Sequence, residues 1–370
     1  LSLVDQGGHD VARCDQMLRD AKGTGTRTWA VGQQVASYYV LPLEAGTAPV
    51  DYTLRVAVYH EGEPEGLDLL DQAGAPAGKH YDLCHVDLAP ARGLTGKEVD
   101  REALGLRPMT GSSQVAEGLA LRAYAVKEGP IRTGERLEVL LEWQHTGGEY
   151  LADYGPCLRL VRDGRVLASE EAAPVYDSYS TSLWEPGEVV LDWRKLVIPP
   201  EIAGGPANLG IKGGGEPAVS LGQVEIEAVS RIFDMPTCQV EVDLVLGEAE
   251  LAGYDLEATE IVTGQDFPLV LYWRALAQES RNYVVFAHLL SAEGKLIAQH
   301  DGPPAEGERP TTGWIADEYI VDPHTLHWVD PDYRGRAALE VGFYDPANGQ
   351  RATTPHGDSR LLLPSSIIVR

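Results

Sequence analysis

The sequence predicts an all-β chain of tandem antiparallel β-sandwich domains, immunoglobulin- or jelly-roll-like, in three copies with the first incomplete at its N-terminus. Three observations lead there. Apolar and polar residues alternate with period two through most of the chain, Gly and Pro fall between the alternating runs, and a block of landmarks recurs at a spacing of 130 residues.

The segment DYTLRVAVYHE sets Tyr52, Leu54, Val56 and Val58 on one face against Thr53, Arg55 and Ala57 on the other, the pattern of a half-buried strand. RAALEVGFYD repeats it, with Leu339, Val341 and Phe343 against Glu340 and Gly342. ERLEVLLEW and FPLVLYWRA are apolar runs that each end near a Trp. YVVFAHLL, SAEGK and LIAQHD read as strand, turn, strand, and CLRLV, RDG and RVLAS repeat that hairpin. EPGE, IPPEIAGGP, DGPPAEGERP and DPANGQR supply the turns, where Gly and Pro set the backbone geometry. CDQMLRDAK is the one stretch that reads as helix, two turns at most.

The 130-residue shift places Trp143 on Trp273, Trp184 on Trp314, Gly134 on Gly264, Gly164 on Gly294, Pro174 on Pro304, Thr181 on Thr311 and Asp192 on Asp322, without a gap. A third, partial copy lies at the front: TRTWAVGQQV around Trp29 matches TSLWEPGEVV around Trp184 at a shift of 155, with Thr26 on Thr181 and Gly32 on Gly187. DLCHVDL, SLGQVEIE and LLPSSIIV read as one shared closing strand. The same register puts Leu3 on Leu158, so counterparts of Gly118–Pro156 are missing from the first copy. A sandwich short of strands exposes unpaired N–H and C=O groups, and three completions follow. The natural chain continues upstream of Leu1, which we favour; a neighbouring subunit supplies the strands; or the first domain closes with fewer. The expected domains are 1–91, 107–228 and 236–370, with linkers near Arg92–Leu106 and Val229–Met235.

Composition narrows the function classes. At 370 residues the chain has room for two or three domains at ~150 residues each. Fifty-six Asp and Glu against 30 Lys and Arg give a formal charge of −26, which repels phosphate backbones and disfavours anionic lipid surfaces. Nucleic acid is therefore not an expected partner. No apolar run reaches the ~18 residues of a membrane span, so any membrane attachment would come through parts absent from this chain. The first residues, LSLVDQGG, lack a signal-peptide pattern and read as a cut or processed start. Cys14, Cys84, Cys157 and Cys238 form no CxxC pair or zinc-like cluster, and read either as disulfides, for instance Cys14 with Cys84, or as buried thiols.

The stretch LVLYWRALAQESRNYVVFAHLLSAEGKLIAQHDGPPAEGERPTTGWIADEYIVD, followed by VGFYDPANGQR, resembles a domain of large surface proteins of filamentous phototrophic and related bacteria. There it follows the transmembrane helices of polytopic glycosyltransferases that use lipid-linked sugars. The matching positions are Trp273, Phe286–His288, Gly294, His300–Asp301, Pro304, Pro310–Thr311, Trp314, Asp322 and the Tyr344–Arg351 turn, with Gly253 and Tyr254 ahead of them. The second domain matches in degenerate form, with Glu170–Glu171 in place of His300–Asp301. The resemblance implies an extracytoplasmic location and glycosyltransferase chemistry residing outside this chain.

The best polar cluster is His288, His300, Asp301 and Asp322 beside Trp314, readable as a sugar or metal site because imidazole and carboxylate suit a divalent ion and Trp suits a sugar face. The alternative, which we favour, is that His300–Asp301 opens a loop, an Asp caps turn amides and Trp314 fills the core. Tyr176 and Tyr179, beside Trp184, read either as a glycan-stacking pair or as an ordinary loop surface. Asp345 and Asn348 read as hairpin-turn chemistry in preference to calcium ligation. GxSxG, HExxH, P-loop and strand-to-helix GxGxxG motifs are absent, and Glu170 and Glu171, adjacent on a strand, point opposite ways. The expectation is a non-catalytic protein without cofactor or metal, with a structural or accessory role at the cell surface; the alternatives are a self-assembling surface filament or layer subunit completed by strand donation, and a carbohydrate-binding module. Its partners would be a glycan, or the neighbouring subunit or upstream segment that completes the first domain.

Overall fold

A computed structural model describes residues 1–60, 66–67, 69, 78–90, 98–110, 113–147, 151–213, 218–346 and 348–370. Strands come in chain order as β1 (Ser2–Val4), β2 (Asp10–Arg13), β3 (Asp51–Ala57) and β4 (His80–Asp87). Next are β5 (Arg107–Pro108), β6 (Gln114–Ala116), β7 (Leu119–Val126), β8 (Ile131–Arg132) and β9 (Arg136–His145). β10 (Cys157–Arg162), β11 (Arg165–Glu171), β12 (Val189–Val197), β13 (Gly205–Lys212) and β14 (Val219–Glu227) complete the second set. The third holds β15 (Val240–Leu246), β16 (Ala249–Leu256), β17 (Glu260–Ile261), β18 (Phe267–Ala275) and β19 (Val284–Ser291). It ends with β20 (Leu296–Gly302), β21 (Tyr319–Trp328), β22 (Gly335–Tyr344) and β23 (Leu361–Val369). The protein is all-β and built of sandwich-like sheets; the described residues contain short 3-10 turns but no α-helix.

The chain divides into two compact units, one of residues 1–130, 136–197 and 206–225, the other of 131–135, 198–205 and 226–370. The first unit takes in the first expected copy and most of the second. Part of the expected Arg92–Leu106 linker, residues 92–97, lies outside the described residues.

In the first unit, strands β2-β1-β3-β4 form one antiparallel sheet, β11-β10-β13-β14 a second in the same spatial order, and β12-β9-β7-β5 a third. Alternation along β9 and β10 turns Leu137, Val139, Leu141, Trp143, Leu158 and Leu160 inward, each 2% exposed or less. The second unit runs β15-β16-β18-β21-β20-β19-β22-β23-β17. Its core holds Trp273, Leu271, Leu289, Leu339 and Val341, all fully buried. β16, β18 and β21 take the parts of β7, β9 and β12, and β20-β19-β22-β23 the parts of β11-β10-β13-β14. The registers agree: Trp143 faces Val190 as Trp273 faces Ile320, and Leu141 faces Asp192 as Leu271 faces Asp322.

Two expectations are corrected. Cys14–Lys22 forms no helix, because the Asp20 carboxylate accepts the amides of Lys22 and Thr24 at 2.9 and 2.7 Å and closes a turn instead. All four cysteines are free thiols, with Cys14 and Cys157 buried and Cys84 exposed, so Cys14 and Cys84 are not bridged. In a thiol-reagent titration, the native chain should therefore release a fast equivalent from Cys84. Denaturation without reductant should then expose all four; fewer than four would mean that a disulfide is present.

Candidate functional site

Each of the two complete copies centres on a buried carboxylate. Asp192, near the start of β12, accepts the Trp143 indole N–H through Oδ2 at 3.0 Å and the Val175 amide through Oδ1 at 2.7 Å. Asp322 repeats this with the Trp273 indole at 3.0 Å and the Ala305 amide at 2.8 Å. The amides belong to a turn with three successive left-handed residues: Val175, Tyr176 and Asp177 at φ 55°, 52° and 62°, and Ala305, Glu306 and Gly307 at 50°, 55° and 88°. Side chains other than Gly rarely adopt this conformation, so the carboxylate holds the loop where the sequence alone would not.

A third group completes each carboxylate. In the first unit it is Arg194, whose Nε donates to Asp192 at 2.8 Å while Nη1 reaches Glu170 at 2.8 Å and Nη2 donates to the Ala172 carbonyl. In the second unit His324 stands at that position, Nε2 at 2.9 Å from Asp322, and His300 stands where the other has Glu170. His300 Nδ1 lies 2.7 Å from His324 Nδ1. A carboxylate only accepts, so His324 Nε2 carries a proton, and of the two facing Nδ1 atoms one donates to the other. The pair binds at most one extra proton before two N–H groups face each other.

The predicted cluster of His288, His300, Asp301 and Asp322 is split by the sheet. In the β19–β20 ladder Ala287 faces His300 and Phe286 faces Asp301, so His300 and Asp301 project to opposite faces. His300 joins Asp322 and His324 on the core side. His288 joins Asp301 at 2.9 Å and Glu340 at 3.4 Å on the other, with Arg360 pairing to Glu340. Burial pulls His288 down in pKa, but its hydrogen bonds to Asp301 and Glu340 outweigh it and leave the imidazole raised. Burial, then the charges of His324 and His327, lower His300. Sequence reasoning missed His324, although it sits two residues beyond Asp322 on one strand face, the period-two signal of a shared site.

Trp314 does not join the cluster. It is 2% exposed, packs on Phe343, and donates its indole N–H to the Arg309 carbonyl at 2.8 Å. Tyr179 is 7% exposed and donates to Glu188 at 2.8 Å, and burial together with Glu188 raises its hydroxyl pKa. Tyr176 stacks on His9 at 5.8 Å, and burial with the Asp5 charge raises it likewise. Trp314 and Tyr179 are thus buried, and Tyr176 is half-buried against His9. Asp345 accepts the Asn348 and Gly349 amides in a tight turn. Among the described residues no group of three or more His, Cys, Asp or Glu is arranged to hold a metal ion.

What the fold and site define is a tandem β-sandwich chain with one internal tie repeated in two copies. No family model matches the sequence, and no curated protein does. Among solved structures, the native conformation of E. coli alpha-2-macroglobulin aligns over 81% of this chain and 18% of its own, at 11% identity and TM-score 0.22. A mutant of Salmonella alpha-2-macroglobulin aligns over 88% and 19%, at 11% identity and TM-score 0.22. Red sea bream transglutaminase aligns over 78% and 36%, at 10% identity and TM-score 0.19. The chain thus spans about a fifth of the alpha-2-macroglobulins, and these likenesses are distant.

Two outcomes follow. Asp322→Ala orphans the Trp273, Ala305 and His324 donors and should destabilise the second unit by about 4 kcal/mol, read as faster hydrogen exchange in β18 and β21 with β9 and β12 unchanged. Replacing His300 by Glu and His324 by Arg recreates the Glu170–Arg194 pair. A lowered histidine costs stability as pH falls through its unfolded value of about 6.5, because the unfolded chain then binds more protons. The raised His288 acts in the opposite sense and is common to both proteins. Urea denaturation between about pH 7.5 and 6 should therefore show the natural chain losing stability relative to the double variant; parallel curves would sink this account.

Proposed function

We propose that this chain is a non-catalytic, extracytoplasmic tandem β-sandwich region with a structural or accessory role at the cell surface, belonging to a larger membrane glycosyltransferase-like protein. One observation carries the non-catalytic part. The polar side chains at the repeated positions are consumed by internal partners: Asp192 and Asp322 by indole, amide and cation or imidazole, Glu170 by Arg194, and Glu318 by Arg231 and Arg309. A general acid, base or nucleophile needs a group that can reach a substrate, and these groups face each other. The surface location and the glycosyltransferase context are supported by the resemblance of residues 269–322 and 341–351 to domains placed beyond membrane helices. Among the described residues no helix is long and apolar enough to cross a membrane.

The sandwiches would act as a spacer or platform that holds acceptor glycans near an active site elsewhere in the protein. Protease shaving of intact cells that express the natural gene should remove an epitope within residues 236–370 while a cytoplasmic marker survives. Retention of the epitope would defeat the surface assignment. On a glycan array the purified chain should give no saturable signal; a signal abolished by Trp314→Ala in a folded variant would replace this reading with lectin activity.

A further inference from the structure

The turn between β1 and β2 in the first copy is wound around one carboxylate. Asp5 N donates to the His9 carbonyl at 3.0 Å, His9 N donates to Asp5 Oδ1 at 2.9 Å, and His9 Nδ1 lies 3.2 Å from Asp5 Oδ2. The tip so formed, Asp5–His9, rests on the second copy. Lys195 Nζ donates to the Gly7 carbonyl at 2.6 Å. The His9 ring lies between Trp193 and Tyr176, at centroid distances of 5.0 and 5.8 Å and interplanar angles of 18° and 20°. Gly7 approaches Tyr176 so closely that a methyl group on its Cα would fall 2.1 Å from the ring Cε2. Its φ is not left-handed, so the ring and not the backbone requires glycine here. Asp5 and His9 are both buried.

The seat belongs to one side of β12. Trp193 and Lys195 alternate with Asp192 and Arg194, which turn inward to the buried tie. Leu191, next in the same outward row, donates its N–H to the Gly46 carbonyl of the first copy at 2.8 Å. Because β12 is the edge of its sheet, that bond satisfies a backbone group the edge would leave free. Tyr176 is the middle one of the three left-handed residues in the loop that Asp192 holds. The third copy keeps the loop and the tie but has Glu306, Pro323 and Thr325 at the positions of Tyr176, Trp193 and Lys195. These three side chains are therefore not needed to fold a copy.

We propose that the outward side of β12, with Tyr176, is a docking seat whose ligand is the Asp5–His9 tip, and that the first copy's sheet depends on this seat while the second copy stands without it. The asymmetry follows from the layers. Among the described residues the first copy forms one sheet, β2-β1-β3-β4, whereas the second has two sheets and its own buried Leu141, Trp143, Leu158 and Leu160. A sheet without a second layer must bury its surface elsewhere, so contacts with a neighbour carry more of its stability. Recognition rests on three features of the tip: a glycine that lets a ring close on the main chain, an imidazole slotted between two rings, and a carbonyl that accepts from an ammonium. The inference is independent of the surface role proposed for the chain.

Hydrogen exchange on the full 370-residue chain tests it. Tyr176→Gly with Lys195→Met removes the aromatic wall and the cation, and glycine suits the left-handed backbone at 176. Amides of β1 and β3 should then exchange about tenfold faster or more, with β9 unchanged. Gly7→Ala alone should loosen β1 and β3 in the same way, and should add little once Tyr176 is glycine, since the ring it strikes is gone. The proposal is overturned if β1 and β3 are unaffected by the Tyr176→Gly, Lys195→Met pair, or if β3 amides are already unprotected in the natural chain. An equal effect of Gly7→Ala with and without Tyr176 overturns it too, by placing the strain within the hairpin. So does a matching acceleration in β9, which would make the two copies a single cooperative body.

Discussion

The structure depends on a carboxylate that cannot be left alone. Burying Asp192 or Asp322 without partners would cost several kcal/mol, on the order of 5 or more. Each is instead given three donors from three parts of its fold: an indole on the neighbouring strand, an amide in a left-handed turn, and a side chain two residues along its own strand. The turn residues outside glycine each cost about 1 kcal/mol in that conformation, so the loop keeps its shape only while the carboxylate holds it. Strand, loop and core Trp are thereby fixed by one another, and a change in any one is felt by the other two.

The second tier of partners shows how such a tie diverges without failing. Where one copy closes the site with Arg194 and Glu170, the other uses His324 and His300, and where Tyr179 meets Glu188, Arg309 meets Glu318. At the first site both members have changed together; at the second the Glu is constant and only its partner has changed, from a hydroxyl to a guanidinium. That pattern is expected of groups that satisfy each other in a low-dielectric site, where an unmatched partner is worse than an apolar one. The predicted sugar- or metal-binding residues are likewise engaged internally, Asp322 by the Trp273 indole, Trp314 by the Arg309 carbonyl, Tyr179 by Glu188, His288 by Asp301 and His300 by His324.

Much of the fold was legible in the sequence because its strongest signals are periodic. The alternation in DYTLRVAVYHE and RAALEVGFYD becomes β3 and β22, and the 130-residue shift that pairs Trp143 with Trp273 and Asp192 with Asp322 reappears as matching ladders and matching hydrogen bonds. The site was less legible. His300 and Asp301 are neighbours in sequence, yet the alternation that separates Glu170 from Glu171 separates them too, and proximity along the chain was mistaken for proximity in space. His324 was overlooked because nothing in composition marks it; only the parity of its strand places it on Asp322. Cys14–Lys22 carries a helical pattern, but one Asp side chain that captures two nearby amides outcompetes it.

The segment after Trp29 also bears on how long this chain survives intact. Proteolytic enzymes bind substrates as unpaired backbone, and Gln34–Leu43 lies outside the strands, carries no charged side chain and leaves Tyr38 and Val40 80% exposed. A cut there would leave β1 and β2 on one piece and β3 and β4 on the other. Because β1 is hydrogen-bonded to β3 and Lys195 holds the Gly7 carbonyl, the pieces would stay together as a nicked but assembled body. Such a molecule would run as one species in a native sieve and as two under denaturing electrophoresis.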